Sequence, residues 1–415
     1  MKILLINNFH YRFGGASVVY LNTAEILQKQ GHEVVFFSIK DEINLPTDNE
    51  IYFIDRKIHV GGKCKNKIEN VKNYFYNRQS SVKLELLLKT EKPDIAHIHL
   101  FYGGITSSIL PVLKRHNIPI VHTAHDYRLI CPAYTFLDAS NNICESCKMN
   151  KFYMCAVKKC SKNSFLQSLV MSIEMYYRNI FFNPLKYIDG FIFVSNFSRK
   201  KHIEYNPNFL GKSILTLYNS TTQEFNSNTI SDYFLFYGRI SAEKGILTLI
   251  NSMDANPTVK LKIVGTGPQK EFLEIYTKKR KLSNVEFIGF KSGDELKDIV
   301  SNAKFIVVPS EWYENNPLTI VEAYSCGKPV IGADIAGISE IVIDGKTGFT
   351  FKSRDSIDLS EKIKKASIIS DIDYISMCDN AFRFALENFN SSVNYNRLID
   401  FYRLIISQNK NEKLT

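Results

Sequence analysis

Two acidic residues, Glu314 and Glu322, lie eight positions apart on either side of Pro317. Proline fixes φ near the helical value and needs no N–H partner, so Pro317 predicts a helix from Leu318 to about Tyr324. Glu322 is then about one turn along this helix, while Glu314 stays on the preceding loop. Because a helix start attracts anions, two carboxylates and a phosphate-binding element come together here. The pattern suits a nucleotide diphosphate sugar, with further contacts from Asn316, Pro317 and Leu318.

Two cations precede this segment in the chain. Arg239 and Lys244 follow a predicted strand and come before a helix that starts near Gly245. Charge-assisted contacts at this position would stabilise the negative charge that grows as a nucleoside diphosphate leaves. A pair of solvated surface charges is the alternative interpretation. Arg239, Lys244 and Glu314 are therefore candidate catalytic residues that also bind the donor.

Gly14 and Gly15 follow the first predicted strand and lead into a helix. A backbone without Cβ allows close approach of phosphate or acceptor, so Gly15 is a candidate binding position. The full dinucleotide fingerprint is absent, and a tight turn explains these glycines equally well.

Histidines mark the ends of two predicted strands in the first half. His125 and Asp126 come just after a strand that ends at His122, and His125 is a candidate catalytic residue. His97 and His99 alternate on another strand, where packing and site lining are both open. A histidine beside a strand end is often structural.

Four cysteines form the spacing C-x2-C-x7-C-x4-C in a basic, polar segment, namely Cys144, Cys147, Cys155 and Cys160. In a reducing compartment this spacing favours a structural zinc over disulfides, and free thiols are the alternative. The following stretch, 165–182, is rich in aromatic residues and has few charges. It could dock at a bilayer surface, although a core-facing helix is the favoured interpretation.

The elements that must position these residues alternate between strand and helix. Two series of short, branched apolar runs predict buried parallel strands, one series before Asn219 and one after it. A polar segment, 217–232, separates them as a linker. A length of 415 residues also favours two domains. We expect an α/β protein with two doubly wound lobes and ligand at the carboxyl ends of the strands.

The positive charge is concentrated in the first half. Residues 1–215 hold 28 Lys and Arg against 17 Asp and Glu, whereas residues 216–415 hold 24 against 25. Such a surface would attract a nucleic acid, an anionic membrane leaflet or a pyrophosphate-linked lipid, and an ordinary solvated surface is equally compatible. No run of 18 apolar residues occurs and the start reads as a strand, so we expect a cytoplasmic protein, soluble or peripheral on the inner membrane face. The basic residues cluster at two places: Arg56, Lys57, Lys63, Lys65, Lys67 and Lys148, Lys151, Lys158, Lys159, Lys162.

Segments across most of the chain together resemble family four of the glycosyltransferases, which are retaining enzymes of the GT-B fold. In the second half these segments are FYGRISAEKG (236–245), KIVGTGP (262–268), NVEFIGF (284–290), PSEWYENNPLTIVEAYSCGKPVI (309–331) and GKPVIGADIAGISEIVIDGKTGF (327–349). In the first half they are FGGAS (13–17), VHTAHDYRLICP (121–132) and VSNFSRKK (194–201).

The resemblance implies a role for each candidate residue. Glu322 would hold the ribose hydroxyls, Glu314 the hydroxyls of the transferred sugar, and His125 would reach the donor sugar across an interdomain cleft. Catalysis would require no metal, because Arg239, Lys244 and the helix start carry the diphosphate charge. The implied organisation is an acceptor-side domain with a cysteine-bearing insert at about 131–163, a nucleotide-sugar domain, and a helix crossing back to the first lobe: residues 1–216, 217–388 and 389–415.

The implied activity is retaining transfer of a sugar from a nucleotide diphosphate sugar to a saccharide or polyprenyl-linked acceptor in surface polysaccharide biosynthesis. Peripheral contact with an anionic membrane is expected, and no nucleic acid partner. Three competing hypotheses remain: a sugar nucleotide epimerase of the same fold, a basic, cysteine-bearing nucleic-acid-binding protein, and a catalytically inert scaffold. The Glu314 and Glu322 segment with Arg239 and Lys244 favours the transferase.

Overall fold

The computed structural model describes residues 1–55, 67–221 and 232–411. The chain forms two compact units, one made of Met1–Leu217 with Asn394–Thr415, the other of Tyr218–Val393. The sequence predicts a domain boundary between residues 216 and 217. In the structure, unit 1 is followed by unit 2 between Leu217 and Tyr218. Most of the predicted linker and the first basic cluster lie outside the described residues.

The described part of unit 1 contains a six-stranded parallel sheet with the strand order β2-β1-β3-β4-β5-β6. Both faces of the central strands are buried, as expected for apolar strands covered by helices on two sides. The strands are β1 (Lys2–Ile6), β2 (Glu33–Phe37), β3 (Ile95–Ile98), β4 (Ile120–Ala124), β5 (Gly190–Phe193) and β6 (Ser213–Thr216). The helices are α1 (Gly14–Lys29), α2 (Lys67–Phe75), α3 (Arg78–Glu91), α4 (Leu110–Arg115), α5 (Met154–Val157), α6 (Phe165–Phe181), α7 (Pro184–Tyr187) and α8 (Asn196–Tyr205).

A second six-stranded parallel sheet, with the order β12-β11-β10-β7-β8-β9, forms the described part of unit 2. Its strands are β7 (Tyr233–Tyr237), β8 (Lys260–Val264), β9 (Val285–Gly289), β10 (Phe305–Val308), β11 (Val330–Ala333) and β12 (Gly348–Phe351). The helices are α9 (Ile246–Ser252), α10 (Lys270–Lys279), α11 (Gly293–Asn302), α12 (Leu318–Ser325), α13 (Ala336–Ile341), α14 (Ser356–Ser367) and α15 (Asp371–Asn388). Two doubly wound α/β units confirm the predicted fold class.

The last helix, α16 (Ser391–Asn411), packs for most of its length on unit 1. Its buried residues include Phe401, Tyr402 and Ile405. A Cβ at Gly190 would lie 2.8 Å from both Phe401 Cζ and Ile405 Cδ1, so the glycine at the start of β5 permits this close contact. The Tyr402 hydroxyl lies 2.6 Å from His97 Nδ1 inside the unit.

Helix α6 has a mostly polar buried side and an exposed apolar face. Its buried side includes Ser168, Ser172 and Arg178. Leu166, Ile173 and Ile180 are 69%, 48% and 67% exposed, and their spacing of seven residues places them on one helix face. Helix α6 therefore packs one side against unit 1, as the favoured interpretation expected, but this side is mostly polar and an apolar face is left exposed. No helix in the described residues is long and apolar enough to cross a membrane.

Candidate functional site

The loop after β10 carries Glu314, and helix α12 carries Glu322 about one turn after its start. Pro317 stands at the N-cap with extended backbone, and α12 begins at Leu318, as predicted. Proline offers no side-chain acceptor to the first backbone N–H groups of the helix. These donors therefore remain suited to an anion.

Lys244 and Glu314 form the tightest contact among the predicted residues. Lys244 Nζ lies 2.6 Å from Glu314 Oε1, and Ser310 Oγ donates to the same oxygen at 2.9 Å. Burial by itself raises the pKa of the Glu314 carboxyl. The Lys244 ammonium, with hydrogen bonds from Lys244 and Ser310, outweighs burial and holds the pKa below its ordinary value. Glu314 is thus a buried, ionised acceptor beside a cation.

Glu322 has a different environment one turn into α12. The Tyr237 hydroxyl lies 3.0 Å from Glu322 Oε2 and 2.9 Å from the Thr319 carbonyl oxygen. Burial raises the pKa of Glu322, and the hydrogen bond from Tyr237 opposes that rise. Tyr237 is the last residue of β7, so the neighbouring strand orients this carboxylate.

Close backbone approach holds the segments that carry Lys244 and Glu314 together. A Cβ at Gly245, where φ is +68°, would lie 1.9 Å from the Pro309 carbonyl oxygen. The Glu311 N–H donates to the Glu243 carbonyl at 2.8 Å, which joins the same two segments. Only glycine permits this contact, because any Cβ would push the loops apart.

The loop after Glu314 is anchored by α13 and by Asn219, the second residue of unit 2. The Gly337 N–H donates to the Glu314 carbonyl at 2.9 Å. Asn316 Oδ1 accepts from the Asn219 N–H at 2.7 Å, and Asn219 Nδ2 donates to the Asn316 carbonyl at 2.8 Å. Asn316 therefore fixes the loop immediately before α12.

Strand order explains why these residues meet. Arg239 and Lys244 follow β7, and residues 314–322 follow β10, which is the neighbour of β7 in the sheet. Arg239 is exposed two residues beyond β7. Parallel strands place their carboxyl ends on one edge, where doubly wound folds bind ligands. All the second-half candidates thus belong to one edge of unit 2.

The other two candidates belong to unit 1. Gly15 is exposed in the first turn of α1. His125 follows β4, and its Nε2 lies 2.8 Å from Nδ1 of His99, just beyond the neighbouring β3. Burial lowers the pKa of His125 to about 3, so the imidazole is neutral at pH 7. The sequence left open whether His99 lines the site or packs in the core. The alternation of His97 and His99 along a strand was the pattern that could have indicated a role at the site.

The four cysteines of the insert lie close together. Cys160 is a close neighbour of Cys144 and Cys155, and Cys147 is a close neighbour of Cys144 and Cys160. Cys131 is a further neighbour of Cys147. Within residues 1–55, 67–221 and 232–411, no group of three or more His, Cys, Asp or Glu is arranged to hold a metal ion. The structural zinc stays a prediction.

Comparisons with known proteins agree with this geometry. Residues 13–210 match the family Glycosyltransferase Family 4, and residues 219–372 match Glycosyl transferases group 1. Together these matches span both units, including the loops that carry His125, Lys244 and Glu314. The chain therefore belongs to the group 1 glycosyltransferases, with a family 4 glycosyltransferase domain in its first half.

This chain is also similar to individual proteins in sequence or in structure. An uncharacterized 42.6 kDa protein in the cps region of Klebsiella pneumoniae is 28% identical over 82% of this chain and 87% of its own length. The lipopolysaccharide 1,2-N-acetylglucosaminetransferase of Salmonella typhimurium is 32% identical over 36% of this chain and 40% of its own. The structure of Anabaena Alr3699/HepE in complex with UDP has a TM-score of 0.67 and 15% identity, covering 96% and 99% of the two chains. The similarity to the Anabaena structure shows that this chain has the GT-B fold.

Proposed function

We propose that this glycosyltransferase transfers a sugar, with retention of anomeric configuration, from a nucleotide diphosphate sugar to a saccharide or polyprenyl-linked acceptor. The observation that carries the donor assignment is the pair of carboxylates at one sheet edge, with Glu314 held by Lys244 and Glu322 held by Tyr237. The UDP bound by the similar Anabaena protein supports the same class of donor.

Each residue has a defined task in this proposal. Glu322 accepts hydrogen bonds from the ribose hydroxyls, and Glu314 accepts them from hydroxyls of the transferred sugar. Arg239 and Lys244, with the N–H groups that start α12, stabilise the charge that develops on the leaving diphosphate. These cations take the role that a divalent ion has in other glycosyltransferases, so the transfer proceeds without a metal. The departing phosphate oxygen accepts the proton of the acceptor hydroxyl.

The pathway proposed is surface polysaccharide biosynthesis. Its support is the cps region in which the Klebsiella relative is encoded and the lipopolysaccharide sugar transfer named for the Salmonella relative. The acceptor then stands at the cytoplasmic face of the inner membrane, where the protein binds peripherally. The exposed apolar face of α6 and the lysine-rich segment 148–162 support that attachment.

A screen of sugar nucleotides tests the donor assignment. Thermal unfolding is measured with UDP-, GDP- and other sugar nucleotides, and one donor class is expected to raise the unfolding midpoint by mass action. Glu322→Gln should lose most of that shift, whereas the exposed Glu286→Gln should keep it. A flat response to every donor contradicts the proposal. NMR of the product's anomeric proton then tests retention, and an inverted linkage contradicts that part alone.

A further inference from the structure

A buried polar cluster in unit 1 contains donors that the protein leaves unsatisfied. Arg178 is 1% exposed on α6, where Nε donates to Glu174 Oε1 at 3.0 Å and Nη2 donates to the Arg128 carbonyl at 3.1 Å. Among the described residues, Arg178 Nη1 has no hydrogen-bond partner. Nε of Arg128 and the hydroxyl of Tyr102 also lack one there.

The three residues form one cluster. The Arg178 guanidinium lies 4.4 Å from the centroid of the Tyr102 ring. Arg128 Nη1 donates to the Tyr74 hydroxyl at 3.0 Å, and its guanidinium lies 4.9 Å from the centroid of the partly exposed Tyr134 ring. Leaving several buried donors unsatisfied costs free energy, so the arrangement implies an occupant rich in acceptors.

The charges of the cluster favour an anion beside Arg128. Glu174 forms the ion pair with Arg178, whereas no carboxylate in the described ranges forms an ion pair with Arg128. Asp126 Oδ1 accepts the Arg128 backbone N–H at 2.8 Å. Burial raises the pKa of Asp126, and the nearby Arg128 and Arg178 guanidiniums oppose that rise. Burial also raises the pKa of the Tyr102 hydroxyl, which therefore stays a donor.

The position of the cluster relates it to the reaction. Arg128 lies three residues after His125 on the loop that follows β4, and Tyr102 lies on the loop that follows β3. Strands β3 and β4 are neighbours, so both loops leave the same edge of the sheet. Ligands of doubly wound sheets bind at this edge. Arg128 is partly exposed, whereas Arg178 is almost fully buried.

We infer that Arg128, Arg178 and Tyr102 form a subsite for an oxyanion of the acceptor, either a phosphate ester or a sugar carboxylate. Guanidinium groups suit both, because their planar N–H donors match two oxygens at once. The inference rests on the proposed function, since it names the chemical class of the acceptor for the same transfer.

The test uses small oxyanions as probes on the whole protein. Methyl phosphate, methyl glucuronide and the neutral methyl glucoside are titrated by calorimetry with UDP in excess, so that the donor's phosphate site is occupied. At least one anionic probe should bind and the neutral one should not. Preference for methyl phosphate indicates a phosphorylated acceptor, and preference for methyl glucuronide indicates an acidic sugar; either supports the subsite.

Two variants connect that binding to the cluster. Arg128→Gln removes one of the two guanidiniums and should weaken anion binding by about 10- to 100-fold. Tyr102→Phe keeps the ring that packs on Arg178 and removes a hydroxyl with no described protein partner. It should weaken binding by about threefold to tenfold without lowering the unfolding midpoint.

The outcomes separate this inference from the donor assignment. The subsite is overturned if the anionic and neutral probes bind equally well. It is also overturned if both variants bind the anion as wild type does. In either case buried water is the only occupant of the cluster. If the sugar nucleotides still raise the unfolding midpoint, the proposed transferase stands without the subsite. If no sugar nucleotide does so while Arg128→Gln abolishes anion binding, the donor assignment fails and the oxyanion site remains.

Discussion

Lys244 stabilises the ionised form of the Glu314 carboxyl, whereas burial alone would favour the neutral form. The carboxylate is almost fully enclosed, and its depressed pKa depends on the ammonium 2.6 Å away together with nearby hydrogen-bond donors. A group whose folded-state pKa is depressed contributes stability above its unfolded pKa, and that contribution is lost as the pH falls through the folded value. Lys244 therefore supports the local fold as well as the proposed chemistry.

Replacing Lys244 by methionine tests both roles. Removing one partner of a buried pair costs about 3–5 kcal/mol, and because a quarter of the Lys244 side chain is exposed we expect about 2 kcal/mol here. With burial unopposed, the pKa of Glu314 rises above its ordinary value, so the loss relative to wild type should begin to shrink above about pH 4.3, the ordinary pKa of a glutamate, and shrink further below it. Urea unfolding from about pH 3 to about pH 8 measures this dependence.

The control for this experiment is Lys260→Met, which removes an ion pair with Asp232 that is mostly exposed. It should change stability by less than about 1 kcal/mol at every pH. Sugar transfer should fall by about 10²- to 10³-fold in Lys244→Met and stay near wild type in the control. A pH-independent loss of stability in Lys244→Met would show that Glu314 does not depend on this cation.

Residue types and spacing identified the candidate residues in the second half of the chain. They did not identify the contacts that orient those side chains. The pattern around Pro317 predicted the start of α12 and both acids, because proline and helix geometry act over a few residues. Tyr237 is 85 positions from Glu322 and meets it only because β7 and β10 are neighbours. Likewise, the contact between His99 and His125 depends on β3 lying beside β4. Such contacts require strand order, which periodicity does not supply.

At the scale of elements, the site depends on how closely two loops approach. Gly245 lies against the Pro309 carbonyl between β7 and β10, and Gly337 lies against the Asn315 carbonyl at the start of α13. A Cβ at Gly337 would be only 1.7 Å from that oxygen. Both glycines thus fix the loop of Glu314 from opposite ends.

Gly245→Ala is expected to separate the loops that carry Lys244 and Glu314. The variant combines a left-handed φ with a clash against backbone, whereas Gly345→Ala has a similar φ of +74° and nothing within 4 Å of the new Cβ. Gly345→Ala should cost about 1 kcal/mol through backbone strain alone, and Gly245→Ala at least about twice that. Thermal unfolding and donor binding compare the two. Equal losses in both variants would show that the close contact with Pro309 is unimportant.

The predicted elements differ from the observed ones in two instructive ways. Strands β6 and β12, at the edges of the two sheets, were not predicted. SILT is only half-buried and GFTF opens with a glycine, so neither gives the continuous apolar run that indicated the central strands. The residues on the buried side of helix α6 were not predicted, because composition does not reveal that Ser172 and the Arg178–Glu174 pair supply its buried bonds.

Across the whole molecule, positive charge and exposed apolar surface occur in the same half of the sequence. The excess of Lys and Arg is confined to residues 1–215, which also contain the outward face of α6. Insert residues Met149 and Val157 are exposed as well, among the lysines of segment 148–162. Nucleic acid binding would use only the charge, whereas an anionic membrane uses charge and apolar contact together.

Vesicle binding distinguishes these alternatives. The protein should co-sediment with vesicles containing anionic lipid and bind less as salt increases, because screening weakens the contribution of the lysines. Each aliphatic side chain entering the interface contributes on the order of 1 kcal/mol, so the triple change Leu166→Gln, Ile173→Gln and Ile180→Gln should lower partitioning by about 100-fold. Val82→Gln with Leu86→Gln, an exposed apolar pair on α3, serves as the matched control and should leave binding unchanged. If the triple variant binds vesicles like wild type, or if duplex DNA binds with the same salt dependence and displaces the vesicles, the charge alone accounts for binding and the face of α6 has no part in it.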